Sequence, residues 1–368
     1  MSKRTIAGFL LLTSLLAIAA IAQTGKLLPG MPPPLDSADI YAADKPNALS
    51  PVVKNFLPRI YVPNTESNTV SVIDPATYTV VETIQVGKQP QHVTPSYDLK
   101  TLWVLNDKGN SLTSIDPATG KKGQTVAVDD PYNMYYTPDG KFAIVVAEEM
   151  MRLMFRDPSS MALKSSVWFN CKGIDHMDFS ADGLYLIASC EFGDKIIKVD
   201  VQTQKQVGAA VELGLHNGPQ DVKLSPDGKV FYVADMHSNG VHLVDGDQMK
   251  KIGFIETGVG AHGLYVSRDS KVLYVSNRNE GSISLIDFQT RKVVKKWKLP
   301  GGGSPDMGGV SADGKVLWLS GRYHAEVYAI DTADGHLIAR IPVGRGPHGL
   351  CVYPQPGRYS LGHTGIFR

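Results

Sequence analysis

The chain is poor in cysteine, in net charge and in local catalytic signatures. Its 368 residues include three cysteines, none in a C-x-x-C-H spacing, so a covalently attached c-type haem is not expected. Lys+Arg total 37 and Asp+Glu 36, for a formal net charge of +1. There is no polybasic run either, so no nucleic-acid partner is expected. Beyond residue 22 no stretch is long and apolar enough to cross a bilayer. The G-x-S-x-G, H-E-x-x-H and G-x-x-x-x-G-K-[ST] signatures are absent, so no catalytic residue is singled out. GGGSPDMGG at 301–309 is rich in glycine, but it lies between strands and reads as a flexible loop.

The N-terminus has the pattern of an export signal. Lys3 and Arg4 precede an uncharged apolar run, Ile6–Ala22, that ends in the A-x-A site Ala20-Ile21-Ala22. Cleavage there would leave Gln23 first and place the protein in the periplasm or outside the cell. An uncleaved anchor is the alternative, and would be the only membrane contact. Residues 23–57, with PGMPPP, read as a linker.

The rest is repetitive. Seven copies begin at RIYVPNTESNTVSVIDPAT, TLWVLNDKGNSLTSIDPAT, FAIVVAEEMMRLMFRDPSS, YLIASCEFGDKIIKVDVQT, VFYVADMHSNGVHLVDGDQ, VLYVSNRNEGSISLIDFQT and VLWLSGRYHAEVYAIDTAD. Their strand-ending aspartates are Asp74, Asp116, Asp157, Asp200, Asp245, Asp287 and Asp331, spaced by 42, 41, 43, 45, 42 and 44 residues. Seven four-strand units at this period predict an all-β fold, a seven-bladed β-propeller over 58–358 with a tail at 359–368. The turn aspartates are expected to be structural, bonding to nearby backbone amides. Each copy supplies three strands of one blade and the inner strand of the next. The first copy therefore lacks an inner strand, and GPHGLCVYP at 346–354 lacks outer ones. Joining them closes the ring and removes free sheet edges.

YVPNTESNTVSVIDPAT, YVSNRNEGSISLID and PHGLCVYP resemble the repeats of YVTN-family β-propellers across residues 59–358. The resemblance implies the propeller. It also implies kinship with the haem-binding propeller of cytochrome-type nitrite reductases, quinoprotein amine dehydrogenase propellers, lactonases, and surface-layer and metal-handling proteins. Fold alone does not choose among their functions.

Strand direction puts the loops into the inner strands, and those after the second strands, on one face, the top. Seven of ten histidines map there: His92, His176, His216, His237, His262, His324 and His348. Asp175, Asp221, Asp306, Glu191 and Glu66 join them, with Arg278 and Arg322 in adjacent blades. Aligned on the inner strands, one slot holds Gln91, Tyr132, Asp175, Gln220, His262, Asp306 and His348. The next holds His92, Asn133, His176, Asp221, Gly263, Met307 and Gly349. One of these slots should ring the channel mouth. His92, Asp175, His176, Asp221, His262, Asp306, His348, Arg278 and Arg322 are the candidate ligand-binding residues. His92, His176, His262 and His348 are the candidate metal ligands, or axial haem ligands with arginines for the propionates.

Cys171 and Cys190 flank adjacent strands of one blade. A disulfide, a soft metal site with His176, and two free thiols all stay open. Cys351 reads as a small buried hydrophobe. The first expectation is a monomeric, exported, non-catalytic propeller that binds a small ligand or protein through its top face. A transition-metal or non-covalent haem protein is the alternative. A lactonase-type hydrolase using Glu66, Arg278 and Arg322 comes third.

Overall fold

Each repeat folds as its alternation and turn chemistry dictate. A computed structural model describes residues 26–363 and 366–368; the export signal read at residues 1–22 lies outside them. Among the described residues, 28 strands form seven four-stranded sheets. The sheets are antiparallel and form the blades of one propeller. The only helical element described is one 3-10 turn, Ala42–Asp44.

The turn aspartates are structural. All seven accept a backbone N–H from within their own turn, Asp74 from Ala76 and Asp116 from Ala118, each at 2.9 Å. The asparagines that end YVPN, WVLN and YVSN also have a structural task. Asn64 donates to the hydroxyls of Thr69 and Ser71, both at 3.0 Å, and Asn106 and Asn277 repeat the contact. Asp235 takes this position in its blade and pairs with His242 at 3.0 Å, which accounts for a histidine outside the site.

The ring closes as the repeat predicts. Cys351–Tyr353 is the inner strand of a blade whose other strands are Arg59–Asn64, Thr69–Asp74 and Thr79–Gln85. Arg59 pairs with Tyr353, and Tyr61 with Cys351. The apolar core lies between neighbouring blades: Tyr135, Ile144 and Phe155 of one pack on Ile174, Phe179 and Leu186 of the next.

Two segments cover the bottom face. The proline-rich stretch read as a linker is seated on the bottom turns. Leu28 N–H donates to Asp182 O, Ile40 to Pro226 and Asn47 to Ala312, at 2.8–2.9 Å. The C-terminal tail turns back beneath the channel. Tyr136 N–H donates to Leu361 O at 2.9 Å and His363 N–H to Met134 O at 3.0 Å. Arg368 donates to Asp178 at 3.1 Å and lies over the Tyr41 ring. These contacts plug the channel from below and point His363 toward the axis.

Candidate functional site

The inner strands are irregular where they meet the top face. Register breaks between Ile174 and Met177, Pro219 and Val222, Ala261 and Leu264, and Pro305 and Gly308. Regular alternation would turn only one of the two slots inward. A bulge re-aims the extra residue, and residues from both slots converge on the axis.

Two connected layers result. In the upper one, Asp306 is the hub. Arg278 donates to its Oδ1 through Nε at 2.9 Å and Nη2 at 2.6 Å. His348 Nδ1 lies 2.7 Å from its Oδ2, and His262 Nδ1 3.2 Å from its Oδ1. Arg278 also contacts His262, and Tyr132 reaches His348 at 3.3 Å. In the lower layer, Asn133 Nδ2 stands 3.1 Å from Nδ1 of both His176 and His363. His363 Nε2 is 3.5 Å from Asp221 Oδ1. Met134 N–H donates to Asn133 Oδ1 at 2.8 Å and fixes the amide. The His92 ring centroid lies 4.9 Å from that of His348, 5.6 Å from His176 and 5.2 Å from His363.

Several of these buried groups lack hydrogen bonds. Neither nitrogen of His92, neither carboxylate oxygen of Asp175, nor Gln91 Oε1 has one. Asp175 Oδ1 lies 3.1 Å from His176 Nε2 without a hydrogen bond of good geometry. Unsatisfied polar atoms are rare in native interiors, and a cluster of them marks a place for an ion, water or ligand.

Burial sets the charge states. It depresses His176 to about 3, helped by His363. It also holds His92, His262 and His348 well below the usual imidazole range, and lowers His363 against the pull of Asp221. Burial pushes Asp221 and Asp306 up, but neighbouring groups outweigh it, chiefly Lys223 and His363 for the first and Arg278 and His262 for the second. Both carboxyls end below the usual range. Asp175 is driven well up by burial and then by Glu191 and Glu148.

Above these layers, the residue after each blade's second strand rims the mouth. Around the ring these are Thr65, Asp107, Glu148, Glu191, Met236, Arg278 and Arg322. Three acids in succession face two arginines in succession. Glu148 is pushed up to about 8 by burial, then by Glu191, Asp107, Asp130 and Glu149. Burial also raises Glu191, against Gln220 and Arg278.

Eight of the nine sequence-predicted ligand-binding residues are therefore buried around the axis. Arg322 is the exception. It sits half-buried at the rim, with Nη1 3.4 Å from Thr65 Oγ1 and Gly346 O, and lines rim cavities of about 330 and 480 Å³ with Glu66. His216, His237 and His324 are exposed. Glu148 and His363 escaped the sequence reasoning. Glu148 is visible once the seven equivalent rim positions are aligned, whereas His363 lies past the last repeat and has no counterpart to align. Cys171 and Cys190 form a disulfide beside this site, and Cys351 is free and buried. Ser189, next to Cys190, bonds the backbone N–H and carbonyl of His176 at 3.1 Å.

Solved structures share the fold. Hydrazine synthase of Kuenenia stuttgartiensis is 19% identical, with 74% of this chain and 92% of that one covered and a TM-score of 0.65. The periplasmic gluconolactonase PpgL of Pseudomonas aeruginosa is 18% identical, with 81% and 99% covered and a TM-score of 0.68. The dihydro-heme d1 dehydrogenase NirN is 15% identical, with 80% and 75% covered and a TM-score of 0.60. At these identities the likeness is one of fold. No curated protein matches the chain. The model of one family matches residues 25–357, and the chain belongs to that family, the YNCE-like beta-propellers.

Proposed function

We propose that this is an exported binding propeller whose top mouth takes a small ligand carrying both a cationic and an anionic group. The division of charge among the seven equivalent rim positions carries the reading: Asp107, Glu148 and Glu191 on one side, Arg278 and Arg322 on the other. Asp107 is paired with Lys108 and Arg278 with Asp306, but among the described residues neither Glu148 nor Glu191 lies in a salt bridge, and Arg322 contacts only a hydroxyl and a carbonyl oxygen. Like charges crowded without a counter-ion favour an incoming cation, and an unneutralised guanidinium favours a carboxylate. A ligand with one charge can use only one side of the mouth.

Calorimetry with triglycine and a series of ω-amino acids, against hexanoate and hexylamine, tests this. At least one doubly charged probe should bind roughly tenfold tighter than either singly charged one, equivalent to about 1.4 kcal/mol. Arg322→Ala and Glu191→Gln should each abolish that preference. Failure of every doubly charged probe to bind would overturn the reading.

Export belongs to the proposal. Disulfides persist in oxidising compartments, and the Cys171–Cys190 bond supports such a location. N-terminal sequencing of the secreted protein should begin at Gln23. A hydrolase built on Glu66, Arg278 and Arg322 is less well supported, because Asp306 engages Arg278 through two donor atoms. Docking of a protein is a second reading, favoured by Phe192, Leu215 and Tyr323, which are 57%, 88% and 65% exposed on top-face loops. Serine at all three should then abolish partner capture while leaving triglycine affinity unchanged.

A further inference from the structure

We propose a transition-metal site at the propeller axis, formed by His176, Asp221 and His363, with His363 delivered by the C-terminal tail. One ligand atom from each of the three lies within 4.8 Å of those of the others, and all three side chains are fully buried. Two imidazoles and a carboxylate suit a divalent ion such as zinc or copper(II), not calcium or magnesium, which prefer all-oxygen sets.

The surroundings are built for such a group. Asn133 Nδ2 lies 3.1 Å from Nδ1 of both rings and holds them side by side. Asp221 is held by backbone N–H donors from Val222 and, across the blade boundary, Leu264, both at 2.9 Å. Outer contacts of this kind orient metal ligands and are part of a working site. Beside the three lies His92, fully buried, with neither ring nitrogen hydrogen-bonded. A buried imidazole left without hydrogen-bond partners next to two histidines and a carboxylate points independently to an absent ligand.

The donor set differs from one read off the histidine ring alone. His262 and His348 are engaged with Asp306, Arg278 and Tyr132 in the upper layer. His363 takes their place. It lies past residue 357, where the family match ends, on a tail pinned by Leu361 to Tyr136 and by Arg368 to Asp178. The site thus joins two residues of the repeats, His176 and Asp221, to one from the tail. It does not depend on the charge-divided mouth above it.

The test is titration of the untagged, chelator-treated protein with copper(II) and cobalt(II), followed by elemental analysis after dialysis. One tightly held ion per chain is expected. His363→Ala should weaken binding by on the order of 100-fold or more, whereas His237→Ala, at an exposed histidine, should keep affinity within about threefold. Electron paramagnetic resonance of the copper-loaded wild type counts coordinated nitrogens, at least two being expected, so the test survives a His363→Ala protein that fails to fold. No bound ion, fewer than two nitrogens, or a folded His363→Ala with wild-type affinity would overturn the site. Because the metal is read directly, the result is independent of whether any amino acid binds the mouth.

Discussion

A β-carbon on residue 349 would run into the His92 ring. Gly349 is therefore a clearance at the axis, not a hinge, and Gly349→Ala must displace the imidazole or the strand. Overpacking of this kind costs about 1–3 kcal/mol, measurable by urea unfolding. Glu148 makes a second prediction at this scale. Its carboxyl is raised from 4.5 to about 8 in the fold, so between those values the folded protein keeps a proton that the unfolded chain has lost. Stability attributable to this residue falls as pH rises through that window. Glu148→Gln should be more stable than wild type at pH 8, with the gap closing toward pH 5 in thermal melts. Cation binding beside Glu148 should release a proton, visible as a buffer-dependent enthalpy. The residue types of the site were legible in the sequence, since nearly every candidate lies at the axis. Their arrangement was not. Alternation allows one inward slot per strand, and nothing in AHG or IDH announces the bulge that admits a second.

At the scale of elements, Cys171 and Cys190 tie the loop leading into the strand of Asp175 and His176 to the neighbouring strand across a sequence separation of 19. A loop of that size gives about 3 kcal/mol when closed. The Cys171→Ser, Cys190→Ser variant should lose stability of that order in denaturant titration while keeping its far-ultraviolet circular dichroism. The inner strands were readable because the repeat fixes them seven times over. The proline-rich segment and the tail occur once each and have no periodicity of their own. Only their contacts with the bottom turns, Leu28 to Asp182 and Asn47 to Ala312 among them, reveal that they are packed.

For the whole molecule, closure is the decisive event. Cys351–Tyr353 completes the blade begun by Arg59–Asn64, so the two ends of the fold stabilise each other. Removing residues 346–368 should abolish cooperative melting rather than lower its midpoint; a truncated chain that still melts in one sharp transition would refute this. The architecture was legible because it follows from counting repeats and noticing that the last one lacks outer strands. The plugged channel was not, because it depends on where the unrepeated tail comes to rest. That plug gives the propeller the topology of a cup instead of a pipe. Whatever occupies the cup has one way in and one way out, so an occupant at the floor beside His363 must arrive before one at the brim and leave after it. Loading and release are thereby ordered by geometry alone, without any moving part.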